Sequence, residues 1–194
     1  MGTLIVVRHG QASFHEEDYD KLSPLGQDQA RRLGKYWAEH GVTLDRAVSG
    51  PLLRQRHSAE LVREEFEKAG RPFPEIVIDD ALAEMPAERL AKRFMPQLCA
   101  DDAECLALVQ EYMAAQDKKD KERLFQKPFE KMMLKWATKE YHDDEIETFE
   151  YFVNRVKDSF SAITSNNRNG QRVAAFTSGG PTAIAMHLAL NTSF

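Results

Sequence analysis

The sequence predicts an α/β protein: a three-layer α/β/α sandwich with a mainly parallel sheet and a helical cap insertion. Short runs rich in β-branched residues alternate with stretches of helical periodicity, the pattern of strands joined by crossover helices. The apolar runs end in polar or glycine-containing turns, where parallel sheets open their crevices. Between about residues 86 and 145 the character turns helical, charged and methionine-rich, with no convincing strand.

Leu4 to Val7 read as a buried strand, being short, continuous and β-branched, and it runs into Arg8-His9-Gly10. Gln11 to Lys21 is polar and reads as a loop. Ser23-Pro24 then opens a helix, with serine as N-cap and proline at the first helical position. Leu25, Ala30, Leu33 and Trp37 keep helical spacing until Gly41 ends it. Asp45 to Ser49 supplies a second strand, and Gly50-Pro51 leads into a helix with Arg54 in its first turn. Glu75 to Asp79 gives a third strand, followed by Leu82-Ala83-Glu84.

In the cap, Phe129, Met132, Met133 and Trp136 form an apolar stripe, while Lys127, Lys131 and Lys135 form a solvated one. Asp117 to Arg123 reads as an exposed helix end or a mobile link. Glu147 to Ile163 is an amphipathic helix burying Phe149, Phe152, Val153, Val156, Phe160 and Ile163. Arg172 to Thr177 is the fourth strand. Ser178-Gly179-Gly180-Pro181 turns into an apolar helix, which makes His187 a core residue. The chain stops at Asn191-Thr192-Ser193-Phe194, straight after that helix, which leaves a closing segment beyond it open.

At 194 residues the chain suits a single domain, 1–194, carrying the inserted cap. A net charge of −5 argues against a general affinity for nucleic acid. No stretch is long and apolar enough for a membrane span, and no signal peptide is recognisable, so a cytoplasmic protein is expected. Cys99 and Cys105 suit neither a zinc knuckle nor a redox pair and read as reduced structural thiols.

Chemistry-bearing residues collect at the strand ends. Arg8 offers a planar fork of donors suited to phosphate, His9 a nitrogen nucleophile, and Gly10 room for an oxyanion near the backbone. Arg54 opposes the helix dipole, an arrangement that makes sense if an anion sits between it and the free amides; the alternative is an arginine reaching solvent. Glu84 follows a strand end, and two glycines before a helix make Ser178-Gly179-Gly180 an anion-friendly turn.

Together these residues resemble the histidine phosphatase superfamily, the phosphoglycerate-mutase-like proteins. The resemblance rests on Val7-Arg8-His9-Gly10-Gln11, Leu22-Ser23-Pro24-Leu25-Gly26 with Gln29-Ala30, and Ser49-Gly50-Pro51-Leu52-Leu53-Arg54. It continues through Leu82-Ala83-Glu84 and Phe152-Val153-Asn154-Arg155-Val156 to the final Gly-Gly turn. It implies a covalent, metal-independent mechanism without cofactors. His9 would form a phosphohistidine, Arg8 and Arg54 would hold the phosphoryl oxygens, and Glu84 would protonate the leaving alcohol. Ser178, Gly179, Gln11 and His15 would be further phosphate contacts. The family usually has a second histidine where this chain has Ser178. At the position of His15, mutase-like relatives often hold a phosphate-binding asparagine; His15 either replaces that donor or is a surface histidine.

The resemblance therefore implies phosphomonoester hydrolysis, with a small-molecule phosphate ester or a phosphoprotein as substrate. Two alternatives stand beside it. One is phosphoglycerate mutase-type transfer, although Met85-Pro86-Ala87 replaces the Tyr-Gly pattern of mutase loops. The other is a phosphate-binding module of little or no activity, with Ser178 in place of the histidine. The oligomeric state is left open, a homodimer included.

Overall fold

A computed structural model describes residues 2–13, 20–165 and 170–192. In chain order its elements are β1 (Thr3–Arg8), α1 (Pro24–Glu39), β2 (Arg46–Ser49), α2 (Leu53–Lys68) and β3 (Ile76–Ile78). After a 3-10 turn at Asp80–Leu82 come α3 (Ala87–Asp101), α4 (Ala103–Ala114), α5 (Lys118–Ala137), α6 (Phe149–Ser165), β4 (Arg172–Thr177) and α7 (Gly179–Leu190). The chain divides into two compact units: Met1–Glu84 with Val153–Phe194, and Met85–Phe152.

The first unit is built on a sheet of order β1-β4-β2-β3 in which every pairing is parallel. All four carboxyl ends therefore lie along one edge of the sheet. Because side chains alternate across a strand, Ile5, Val7, Ala174 and Phe176 share one face, packed with Trp37, Ala59, Val62 and Phe66 of α1 and α2. The Trp37 and Phe176 rings meet edge to face at 6.5 Å. α1 starts where the sequence predicts, since the Ser23 Oγ accepts from the Gly26 amide at 3.1 Å and Pro24 has no amide to lose. Gly41 follows α1 at φ 71°, the left-handed conformation that ends helices cheaply only at glycine.

Two burial expectations change. Leu4 to Val7 are half-buried, because β1 is the outer strand; the fully buried run is Val173 to Thr177 of β4, flanked on both sides. His187 is not in the core. It is half-buried and its Nδ1 lies 2.6 Å from the Thr192 hydroxyl, while Met186, Leu188 and Leu190 of the same helix are exposed.

The second unit is helical among the described residues. Leu90, Phe94, Leu98, Cys105, Leu124, Met132 and Trp136 form its buried interior, so the α5 stripe is core at Met132 and Trp136. Cys99 and Cys105 are free thiols, and burial pushes the pKa of both upward. Residues 117–123 are the first turns of α5, with the Asp117 carboxylate accepting from the Lys119 and Asp120 amides at 2.9 and 3.2 Å. The lysine stripe is paired: Lys127 to Glu104, Lys131 to Asp102 and Lys135 to Glu140. A cavity of about 420 Å³ is lined by Phe94, Trp136, Tyr141 and Ile146 together with Lys139, His142 and Asp143. No helix among the described residues is long and apolar enough to cross a membrane.

Candidate active site

The ladder between β1 and β4 extends one rung past the strands, the His9 amide donating to the Thr177 carbonyl at 2.9 Å. This fixes the His9 backbone at the sheet edge. The imidazole is then oriented through both nitrogens: Nδ1 lies 2.6 Å from the Gly10 carbonyl, and Nε2 lies 3.2 Å from the Arg54 Nε. A carbonyl can only accept and a guanidinium can only donate. Nδ1 therefore carries the hydrogen, and Nε2 presents its lone pair. Burial, opposed by the Gly10 hydrogen bond and assisted by Arg54 and Arg8, lowers the His9 pKa to about 4. The ring is neutral at neutral pH.

Arg54 is itself buried, at 6 % exposure. The sequence suggests an anion between this side chain and the free amides of the helix start, and the structure supplies one from within the chain. The Asp20 carboxylate accepts from the Leu53 amide at 2.8 Å, the Arg54 amide at 3.4 Å and the Arg54 Nη1 at 2.7 Å. It completes the α2 N-terminus that Leu52, an apolar residue, cannot cap. Asp20 is absent from the residues singled out in the sequence, where it is one acid in a polar loop.

Arg8 lies at the exposed end of β1. A side chain added at Gly179 would come within 3.7 Å of both the Arg8 Nε and the Glu84 Oε2, so Gly179 lies beside both groups. The Glu84 Oε2 accepts from the Gly180 amide at 3.0 Å, at the start of α7. The segment before Glu84 is clamped by its carbonyls. Arg155 Nη1 donates to the carbonyls of Ala81 and Ala83 at 2.8 and 2.9 Å, and the Thr177 hydroxyl to that of Leu82 at 2.8 Å. Arg8, His9, Arg54, Glu84 and Gly179 are thus gathered at the carboxyl edge of one sheet.

Other residues lie elsewhere. Ser178 is fully buried, and its Oγ accepts from the Gln55 Nε2 at 2.8 Å, which uses a lone pair and leaves the hydroxyl hydrogen as a donor. Gln11 serves the loop: its amide donates to the Gln29 Oε1 at 2.8 Å and its Oε1 accepts from the Ser23 hydroxyl at 2.8 Å. His15 lies outside the described residues. Glycine at position 10 answers to packing, because a Cβ there would come 2.2 Å from the Gly26 carbonyl oxygen. The same approach brings the chain ends of the intervening loop together. Ala12 bridges Leu22, the Ser13 amide donates to the Lys21 carbonyl at 2.8 Å, and the Ser23 amide to that of Gln11 at 2.9 Å.

A cavity of about 210 Å³ reaches Arg8, His9 and Gly10, with Leu33, Val62 and Phe176 as its apolar wall. Among the described residues, no group of three or more His, Cys, Asp or Glu side chains is placed to hold a metal ion. The chemistry on offer is a neutral imidazole beside two guanidinium groups, with a carboxyl group and a helix start facing them.

Residues 4–104 match the histidine phosphatase superfamily (branch 1). A 2,3-bisphosphoglycerate-dependent phosphoglycerate mutase of Rhizobium rhizogenes is 33 % identical over 89 residues, which is 43 % of this chain and 41 % of that protein. The matched stretch therefore spans about two fifths of the curated relative. In fold the chain is similar to Bacillus stearothermophilus YhfR, with a TM-score of 0.64, 19 % identity, and coverage of 100 % of this chain and 82 % of that one. It is also similar to a mycobacterial glucosyl-3-phosphoglycerate phosphatase, with a TM-score of 0.60, 17 % identity, and coverage of 98 % and 80 %.

Proposed function

The chain belongs to the histidine phosphatase superfamily, and from that membership we propose that it hydrolyses phosphate monoesters through a phosphohistidine on His9. The observation that carries the reading is the state of the His9 ring. Its Nδ1 hydrogen is tied to the Gly10 carbonyl, its Nε2 lone pair points at Arg54, and its pKa is about 4. A weak nucleophile is thereby available unprotonated at neutral pH.

In the first step the Nε2 lone pair attacks phosphorus and the phosphorus–oxygen ester bond breaks. The leaving alkoxide takes the proton of the Glu84 carboxyl group. The Arg54 Nε hydrogen, held on Nε2 at rest, transfers its hydrogen bond to a phosphoryl oxygen, which as an anion is the stronger acceptor. Arg8 neutralises a second oxygen. In the second step water gives a proton to the Glu84 carboxylate and attacks phosphorus, and the phosphorus–nitrogen bond breaks. Inorganic phosphate leaves and neutral His9 is restored. The two guanidinium groups supply the charge stabilisation that a metal would otherwise bring.

The name of the Rhizobium relative favours a second reading, transfer of a phosphoryl group between positions of a phosphoglycerate. One experiment separates them. The protein is incubated with a labelled phosphate monoester, and acid-labile label on the protein and release of inorganic phosphate are followed with and without 2,3-bisphosphoglycerate. Label and phosphate release without the bisphosphate support hydrolysis. Isomerised phosphoglycerate formed only with it supports the mutase. Acid-stable label, or none, overturns the phosphohistidine. Glu84→Gln tests the proton donor: an alkyl phosphate should slow by about 10²–10⁴ while p-nitrophenyl phosphate is spared.

A further inference from the structure

Beneath the site lies a carboxamide that the mechanism does not use. Gln55, in the first turn of α2, has 0 % exposure, and its hydrogen bonds reach three turns. Its Oε1 accepts from the Leu52 amide at 3.1 Å, and its Nε2 donates to the Leu82 carbonyl at 3.0 Å and to the Ser178 Oγ at 2.8 Å. Those turns carry Arg54, Glu84 and Gly179. A second observation points the same way: a Cβ at Gly50 would come 2.1 Å from the Gln55 Oε1, so glycine there makes the room that the carboxamide fills.

We propose that Gln55 is the positioning residue of this site, tying the turns of Arg54, Glu84 and Gly179 into one rigid edge. We further infer that it fills the volume that a histidine at position 178 would need. The proposal rests on the phosphatase reading above. The Ser178 Oγ occupies the place of a histidine Cγ in the same rotamer, and it is already only 2.8 Å from the Gln55 Nε2. A carbon cannot approach a nitrogen that closely without loss, so in this rotamer glutamine and imidazole compete for the same volume. Serine at 178 is thereby the partner of Gln55: small enough to fit and able to accept its hydrogen bond.

The test uses the full chain with kcat and KM for p-nitrophenyl phosphate, the Kd for orthovanadate, and the melting temperature. Gln55→Met keeps the length of the side chain and removes all three hydrogen bonds. It is expected to fold, to lose kcat by about 10²-fold through small misplacements of the turns, and to change KM far less. Ser178→Ala, which deletes one hydrogen bond, is expected to lose about tenfold and serves if Gln55→Met does not fold. Ser178→His alone should lower kcat, whereas with Gln55→Ala it should exceed the Gln55→Ala protein by at least about tenfold, a restored donor being worth about 10²–10³. A folded Gln55→Met protein with wild-type kcat and KM overturns the proposal, as does a gain from Ser178→His with Gln55 in place. If wild type neither turns over the ester nor binds vanadate, the phosphatase reading falls and the melting temperatures decide for Gln55. Non-additive losses at positions 55 and 178 then support the clamp, and additive losses overturn it.

Discussion

Arg54 and Lys131 are each paired with an aspartate that also caps a helix. Asp20 accepts from the first amides of α2 and from the Arg54 Nη1 at 2.7 Å; Asp102 accepts from the Glu104 and Cys105 amides of α4 and from the Lys131 Nζ at 2.7 Å. The surroundings differ. The side chains of the first pair are 7 % and 34 % exposed, those of the second 36 % and 26 %. The cations differ as well. A guanidinium has five donors in a fixed plane, so Arg54 can satisfy Asp20 with one nitrogen and address His9 with another. Lys131 is a point charge shared between Asp102 and Glu104. The same capping device thus positions a reactive group in one unit and ties two helices together in the other.

The largest effect is expected at the nucleophile beside the Asp20–Arg54 pair. His9→Ala should abolish both turnover and the acid-labile label; label persisting on another histidine in that variant would move the nucleophile elsewhere. Arg54→Lys sharpens the comparison. The charge survives but the fork does not, and the loss of a directed donor should slow turnover by about 10²–10³. Lys131→Arg, the reverse exchange at the second cap, should leave turnover at the wild-type value under the same assay.

Acid separates the two regions by window. Because the folded His9 pKa is lowered to about 4, the ring loses its lone pair only as pH falls through about 4. The acid limb of kcat/KM should therefore lie near pH 4, well below the ordinary imidazole value of about 6.5. An NMR titration of the His9 ring checks the same group directly. The unfolded chain protonates this residue earlier, so its contribution to stability falls as pH drops from about 6.5 to about 4, by no more than about 3 kcal/mol. Asp102 has the same sign in a lower window. Lys131 and the Cys105 amide lower its pKa to about 2. Its contribution is present above the usual carboxylate range and is lost as pH falls through about 2. Melting curves of Asp102→Asn and wild type should then converge toward pH 2. Smallest of all is Lys131→Met, expected to shift the melting temperature by about 2 °C or less, as for other solvent-reached ion pairs.

Much of the first unit was legible because its signals are local. Ser23-Pro24 marks the start of α1, β-branched runs mark the strands, Arg8 and His9 stand at the end of β1, and Arg54 and Glu84 lie in the segments that follow β2 and β3. What escaped is long-range. Asp20 meets Arg54 across 34 residues, and Gln55 meets Ser178 across 123. In sequence, an aspartate in a polar loop and a glutamine in a helix's first turn look like solvated side chains. Edge and centre were also illegible: β1 and β4 are similarly apolar, and only the strand order leaves one half-buried and the other enclosed. His187 misled for a related reason, since an apolar helix does not announce which of its faces meets the sheet.

The close backbone approach of Gly10 and Gly26 reaches beyond packing. Together with the Ala12–Leu22 bridge and the two backbone bonds beside it, it pinches the chain into a neck whose two sides are residues 11–13 and 20–23. His9 stands just before one side of that neck and Asp20 opens the other, so one pinch sets the nucleophile and the carboxylate that pairs with Arg54. A side chain at position 10 or 26, which that approach leaves no room for, is therefore expected to displace both together.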